Sequence, residues 1–352
     1  MTDDFSTKAS NKNGKNKNIT IADVAKVAGV SLGTVSRVIN NRDGAIKVSE
    51  RTTKRVLEAA KELGYIPNPF ASALRSQRSG AIGIVVRDIN DPFLRQIIRD
   101  VQKESHQKGI EVLIGHAEYE PEIAERQLNL MINYWFDGLI LLGNLPGDEK
   151  LIHELNVKDT PMVAVASGFD MNLPSIDFDN AYGSKLAMEY LFSQGHKDIA
   201  FIGNTELAGV KQRLNVYEKM MKKANLYRKN YVYSSTKNRR EAIEYTRKLL
   251  GLEKPPTAIF CPQDYLALAS MSGIWQMGLS VPKDVSVFGY DDIEEAEDAF
   301  IPLSTIKQST ESAAKNAVNL LLDIMNSVKI AQKKIKIKPE ICIRNSCRSL
   351  NE

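Results

Sequence analysis

Residues 19–40 read ITIADVAKVAGVSLGTVSRVIN. Thr20 can cap a helix over residues 21–28, with Asp23 in its first turn, where the helix dipole favours a negative charge. Gly29 ends that helix, because a left-handed residue costs glycine little. Ser31 caps a second helix over residues 32–39. Val24, Ala25, Ala28, Val30, Val35 and Val38 are spaced to form one small apolar core. Two short helices joined by a tight glycine turn make a helix-turn-helix, whose second helix enters the major groove of double-stranded DNA with its early residues at the base edges. Leu32, Gly33, Ser36 and Arg37 then face outward, and Arg37 can make a bidentate contact with guanine. The competing reading is a structural helix hairpin with Arg37 as a solvated charge. A third amphipathic helix is predicted over residues 49–63, capped by Ser49, stopped by Gly64, and burying Val56, Leu57, Ala60 and Leu63.

The charge distribution favours the DNA-binding reading. The chain of 352 residues carries a net charge of +4, but residues 1–78 hold 14 Lys and Arg against 7 Asp and Glu, while the rest hold 33 against 36. A basic head on a mildly acidic body fits a polyanionic partner. Residues 1–18 are polar, rich in Asn and Lys, and read as a disordered tail without the apolar stretch of a secretory signal. No segment has the run of about 18 apolar residues of a membrane span. Cys261, Cys342 and Cys347 form an odd, sparse set, read as reduced thiols in a cytoplasmic protein rather than a disulfide framework.

From Gly80 onward, strand and helix patterns alternate. Strands are predicted at 81–86, 110–114, 138–142, 162–165, 199–203, 257–260 and 285–289. Helices fall at 91–108, 122–134, 181–194, 211–224, 239–250 and 264–277. Short apolar strands separated by helices argue for parallel sheets, and two such series argue for two doubly wound α/β lobes. Ligands of such sheets sit beyond the carboxyl ends of the strands.

The runs TIADVAKVAGVSLGTVSRVIN (20–40) and SERTTKRVLEAAKELGYIPN (49–68) resemble the lac repressor (LacI/GalR) family, and the likeness continues over residues 19 to about 348. The resemblance implies a sequence-specific regulator of transcription, a repressor, whose operator affinity is controlled by a small polar effector, a sugar or sugar derivative. It implies a homodimer on a palindromic operator, since the chain ends at RNSCRSLNE without the added leucine heptad of the family's tetramers. By the same resemblance, DNA contacts fall on Thr20, Leu32, Gly33, Thr34, Ser36, Arg37, Asn40, Tyr65, Asn68, Ala71, Leu74 and Arg75. Residues 67–79 match a hinge that becomes helical when two copies meet on DNA. Leu74 would wedge into the minor groove, with Arg75 and Arg78 near phosphates.

The division implied is a tail at 1–18, a helix-turn-helix domain at 19–66, the hinge, and a periplasmic-binding-protein-like body at 80–349. Lobe one would take about 80–178 plus 308–328, and lobe two about 179–307 plus 329–349. Effector contacts would fall on Asp88, Asn90, Phe93, Leu94, Arg213, Thr236, Gln263 and Asp291. A guanidinium fork at Arg213 suits hydroxyls or a carboxylate. The plainer alternatives are that Asp91 and Asp264 are helix caps, Phe93 is core, and Arg213 is a surface charge. The family often carries an aromatic at Leu94 and near Thr236, and Asn, Ser or Thr at Gln263; these departures leave the effector's identity open.

Nothing in the sequence supports catalysis. His106, His116, His153 and His196 are scattered without metal-ligand spacing, and neither a P-loop nor a nucleophile elbow is present, so no cofactor or metal is expected. The acidic run DDIEEAEDAF (291–300) is the one candidate docking face for a protein partner, although such runs are more often solvated.

Overall fold

The computed structural model describes residues 19–39, 48–66, 78–134, 136–145, 160–168 and 173–351. The expected tail and most of the expected hinge lie outside the described residues, as do Asn40, Asn68, Ala71, Leu74 and Arg75. The chain divides into two units, residues up to Gln77 and residues from Arg78 onward.

The first unit holds α1 (Ile21–Ala28), α2 (Leu32–Ile39) and α3 (Glu50–Leu63). Thr20 and Asp23 form a reciprocal capping box: Asp23 N–H donates to Thr20 Oγ1, and Thr20 N–H donates to Asp23 Oδ2 at 2.8 Å. Two of the orphan donors at the helix start are thereby satisfied. Gly29 closes α1 at φ 60°, a conformation costly for any residue with a Cβ. The Arg55 guanidinium donates to the Ala28 carbonyl, tying α3 to that turn. Val24, Ala25, Ala28, Val35, Val56 and Ala59 are buried, and Val30, Val38, Ala60, Leu63 and Tyr65 pack around them. One expectation is corrected here. Leu57 is 52% exposed, and the smaller Ala59 takes its place in the core. Three short helices approach closely only over small side chains, so Ala59 rather than leucine sets the phase of α3.

The second unit alternates strand and helix through β1 (Ala81–Val86), α4 (Pro92–Gln107), β2 (Glu111–His116), α5 (Pro121–Asn133), β3 (Gly138–Leu142), β4 (Met162–Val165) and β5 (Ser175–Phe178). It continues with α6 (Asn180–Ser193), β6 (Ile199–Ile202), α7 (Ala208–Lys223), β7 (Val232–Tyr233), α8 (Arg239–Leu250), β8 (Ala258–Phe260), α9 (Asp264–Gln276) and β9 (Ser286–Phe288). The last elements are α10 (Glu294–Glu297), β10 (Thr305–Lys307), α11 (Thr310–Met325), β11 (Lys334–Ile337) and β12 (Glu340–Cys342).

Two parallel sheets result. One has the order β11-β5-β4-β3-β1-β2, the other β7-β6-β8-β9, and β10 and β12 form an antiparallel pair. Bridges at Phe288–Ser304 and Asp291–Lys307 bring that pair alongside β9. β1, β3 and β4 are buried nearly throughout, as strands covered on both faces by helices must be.

The lobe boundary differs from the expectation. Lys334–Ile337 pairs with Ser175–Phe178 in register, so residues 334–337 belong to lobe one, not lobe two. The lysines of KIKI are exposed and the isoleucines turn inward, where Ile335 and Ile337 pack on the core that also takes α11. The chain returns to lobe two only at β12. Each crossing is therefore short: Asp179 between β5 and α6, Gln308–Ser309 between β10 and α11, and Lys338–Pro339 between β11 and β12. The first is tied to the end of β11 by a hydrogen bond from Asp179 N–H to the Ile337 carbonyl at 2.9 Å.

Candidate DNA-reading face and effector cleft

In the head, Ser31 caps α2 through its hydroxyl, which accepts from Thr34 N–H at 3.2 Å. Leu32, 53% exposed, and Gly33 lie open on the first turn, and Thr34, Ser36 and Arg37 are half-buried along the same helix. The hydroxyls of Thr20 and Thr34 are engaged in caps, and Tyr65 packs against the head core. Arg78, expected near phosphates, instead donates to Asn326 Oδ1 at 2.8 Å at the end of α11.

In the body, a cavity of about 60 Å³ lies beyond the carboxyl ends of the strands of both sheets. Lobe one contributes Arg87 and Asp91 after β1, Phe93 and Leu94 at the start of α4, Asn144 after β3, and Asp177 and Phe178 from β5. Lobe two contributes Arg213 from α7, Gln263 after β8, Asp291 after β9 and Gln308 after β10. Phe93 and Phe178 meet edge to face at 5.5 Å.

Two buried guanidinium groups dominate the polar lining. Arg87 donates to Asp91 Oδ2 at 2.6 Å, while Asp91 Oδ1 accepts from the N–H groups of Phe93 and Leu94. One carboxylate thus caps α4 and fixes Arg87, and the Pro92 that follows needs no hydrogen-bond partner there. Arg213 donates from Nε to Asn180 Oδ1 at 2.9 Å, and from Nη1 to the Pro262 carbonyl at 2.6 Å and Asp291 Oδ1 at 3.2 Å. Its guanidinium lies 3.6 Å from the centre of the Tyr290 ring. Gln308 Nε2 completes the cluster with a 2.8 Å bond to the same Asp291 oxygen. Burial pushes the Asp291 carboxyl well above the usual carboxylate range, against the opposing pull of Arg213. Asp177 is raised for the same reason, although Gly168 N–H donates to it at 3.0 Å. Asp291 also sits at φ 118°, a strained position for a residue with a side chain. Among the described residues, the buried amide oxygens of Gln263 and Gln308 have no hydrogen-bond partner, which is the condition of groups held ready for a ligand's donors.

Of the expected contacts, Phe93, Leu94, Arg213, Gln263 and Asp291 line the cavity, and three do not. Asp88 closes a turn by accepting from Asn90 N–H at 2.9 Å, and Asn90 is exposed to solvent. Thr236 is fully buried in lobe two, its N–H held by the Gly203 carbonyl. Asp264 is neither a side-chain cap nor in the cavity lining; it accepts from Ile293 N–H and Thr305 Oγ1. Sequence reasoning missed Arg87, Asp177 and Gln308. The opposite charges of Arg87 and Asp91, four residues apart after an apolar strand, were a usable signal for the first; Gln308 carried none.

A helix-turn-helix head joined to a two-lobed body with a polar cavity at its strand ends defines a DNA-binding regulator of transcription with a built-in ligand sensor. Comparisons with known proteins agree. Residues 20–68 match the profile of bacterial regulatory proteins of the lacI family, and residues 188–347 match a periplasmic binding protein-like domain. The HTH-type transcriptional repressor CytR of Escherichia coli strain K12 is 34% identical over 336 residues, covering 94% of this chain and 97% of that protein. The HTH-type transcriptional repressor PurR of Actinobacillus pleuropneumoniae serotype 3 is 34% identical over 95% of this chain and 99% of its own. The lac repressor dimer bound to operator and the anti-inducer ONPF superposes with a TM-score of 0.84 at 27% identity, covering 95% of this chain and 100% of that one. The CelR–cellobiose complex gives a TM-score of 0.68 at 28% identity, over 93% and 99% of the two chains. The chain belongs to the LacI family.

Proposed function

We propose that this protein is a dimeric repressor whose hold on a palindromic operator is set by a sugar or sugar derivative bound in the cavity between the lobes. The observation that carries the effector site is the Arg213–Asp291–Gln308 cluster, buried at the ends of the strands, beside the unpartnered amide oxygens of Gln263 and Gln308. A fixed fork of donors facing amide acceptors suits vicinal hydroxyls, which both donate and accept. The likeness to the CelR–cellobiose complex supports a carbohydrate. The effector acts only if it binds one lobe arrangement better than the other.

Arg37, Ser36, Gly33 and Leu32 are assigned to base readout, and Leu74 to the minor-groove wedge between the two half-sites. The dimer is supported by the exposed Leu113 and Ile114 on the edge strand β2, with Leu130 and Tyr134 also exposed at α5, a kind of surface that monomers seldom leave open. Among the described residues no helix is long and apolar enough to cross a membrane, and no group of three or more metal-ligating side chains occurs.

The test is calorimetric titration of a panel of mono- and disaccharides into wild type, Arg213→Ala and Asp291→Ala, with and without operator DNA. A ligand should bind wild type, bind the variants at least tenfold more weakly, and change affinity by the same factor that it changes DNA binding. A ligand that binds all three proteins equally would refute the site, and one indifferent to operator would refute the coupling.

A further inference from the structure

The acidic run at 291–300 has an occupant within the chain. Arg95 and Arg99 lie one turn apart on the same face of α4, which belongs to lobe one. They reach across to α10 of lobe two. Arg95 Nη2 meets Glu295 Oε1 at 2.8 Å, and Arg99 Nη1 pairs with Glu294 Oε1. All four side chains are more than half exposed, so both pairs stand in water at the surface. They are not set among other lobe-two anchors: Asp292, two residues before, is held by Arg344 at 2.7 Å, and Glu297 faces the same arginine at 3.6 Å. Glu294 and Glu295 are thus the two acids of this run that face lobe one.

Both elements of this contact begin at cavity residues. Arg95 directly follows Leu94, and Glu294 stands three residues after Asp291. A separation of α4 from α10 is therefore the same motion as an opening of the cavity mouth. We propose that Arg95–Glu295 and Arg99–Glu294 form an electrostatic latch across the effector cleft, which biases the lobes toward closure and must part before a ligand enters. Exposed ion pairs are individually weak and are screened by salt. The latch therefore sets a population and does not lock it, and its strength follows ionic strength. That it gates effector entry rests on the reading of the cavity as an effector site; that it holds the lobes together does not.

The experiment needs no ligand. Hydrogen–deuterium exchange is followed in the full chain for the mouth segments 87–94 and 291–297, in wild type, Arg95→Glu/Arg99→Glu, Glu294→Arg/Glu295→Arg, and the four-residue charge swap. At about 0.1 M salt, each one-sided reversal should speed exchange of both segments about two- to tenfold, the range two weak surface pairs can supply. The swap should return them to wild-type rates. Raising salt to about 1 M, where the Debye length falls from ~10 to ~3 Å, should speed wild type and, by screening the like charges that then face each other, slow the reversed variants. Amides of β1 and β3 serve as the folding control and should keep their protection in all four proteins. A one-sided reversal that leaves the mouth at wild-type rates overturns the latch, as does a charge swap with intact β1 and β3 protection that exchanges as fast as the one-sided variants.

Discussion

Replacing Arg213 by alanine removes the donor of three hydrogen bonds and the cation above Tyr290. Asn180 and Pro262 lose a charged donor, and Asp291 keeps only Gln308. Breaking a buried ion pair by removing one partner costs about 3–5 kcal/mol, because a buried charge is left uncompensated. Asp291 has a way out that most such carboxylates lack. Burial already raises its pKa in the native state, so without Arg213 it can fold as the neutral acid. The sign of the pH dependence follows from that raised pKa. A carboxyl whose folded pKa lies above its unfolded value of ~3.9 favours the native state fully at pH below that value, and loses the contribution as pH rises through the folded pKa.

The destabilisation by Arg213→Ala should therefore be no larger at pH 5 than at pH 8, growing by ~1.4 kcal/mol for each pH unit over which Asp291 is ionised in folded wild type but stays protonated in the folded variant. Asp291→Asn in the Arg213→Ala background should recover most of the loss at pH 8, a coupling expected of side chains in direct contact. Arg213→Lys should recover little, since a single ammonium cannot serve Asn180, Pro262 and Asp291 from one fork. Urea unfolding of the four proteins at the two pH values measures all of this. An Asp291→Asn change that simply adds to the Arg213→Ala cost at both pH values would refute the account of Asp291 as the group that Arg213 holds in place.

Arg37→Ala should weaken binding to the operator by about 1–3 kcal/mol and relax preference at one base pair, read by fluorescence anisotropy; equal weakening on random DNA would reduce Arg37 to a phosphate contact. Gly29→Ala puts a Cβ at φ 60° and 3.0 Å from Arg55 Nη2, and should destabilise the head by about 1–2 kcal/mol in thermal unfolding, whereas no change would mean the turn relaxes freely. Burial lifts Asp264 to about 6 even though Thr305 and Ile293 donate to it, so the folded body should lose up to ~3 kcal/mol from this group between pH 4 and pH 7. Asp264→Asn should flatten that slope, and an identical slope in the variant would assign it elsewhere. If the proposed dimer forms through β2, Leu113→Glu should shift sedimentation toward monomer, and an unaltered profile would move the interface off β2.

The head was legible because its signals are local. Thr20, Asp23, Gly29 and Ser31 act within one turn of where they stand, and the caps fall where the sequence places them. The helices and strands that were predicted in the body fall within one to three residues of those expected, whereas β5, β7 and every element after β9 were not anticipated. The errors begin where the answer depends on distant chain. The strand KIKI at 334–337 was not anticipated and was assigned to lobe two, because its place at the sheet edge is settled by the register with Ser175–Phe178, far away in sequence. Leu57 is the most hydrophobic residue of its turn of α3, yet Val56 and Ala59 face the core and Leu57 faces out. Within the cleft, residues directly following a strand were found, as Gln263 and Asp291 show. Gln308 lies on a crossing between lobes, and no local pattern marks a glutamine there. Asp88 and Asn90 were placed by likeness alone, and a turn of one residue more or less was enough to put Arg87 and Asp91 in their stead.

The crossings between lobes are one or two residues long, and Phe178, Asn180 and Gln308, which stand at or beside them, also face the cavity. The cavity is thus built at the fulcrum. A fulcrum moves least when a lever swings, so a contact formed there is preserved through the whole stroke while the far ends of the lobes travel furthest. The arms and the pivot are also separate pieces of sequence. Side chains at the pivot can be exchanged to suit a different molecule without disturbing the strands that give the arms their stiffness, which leaves the same machine free to be retuned to new chemical signals one residue at a time.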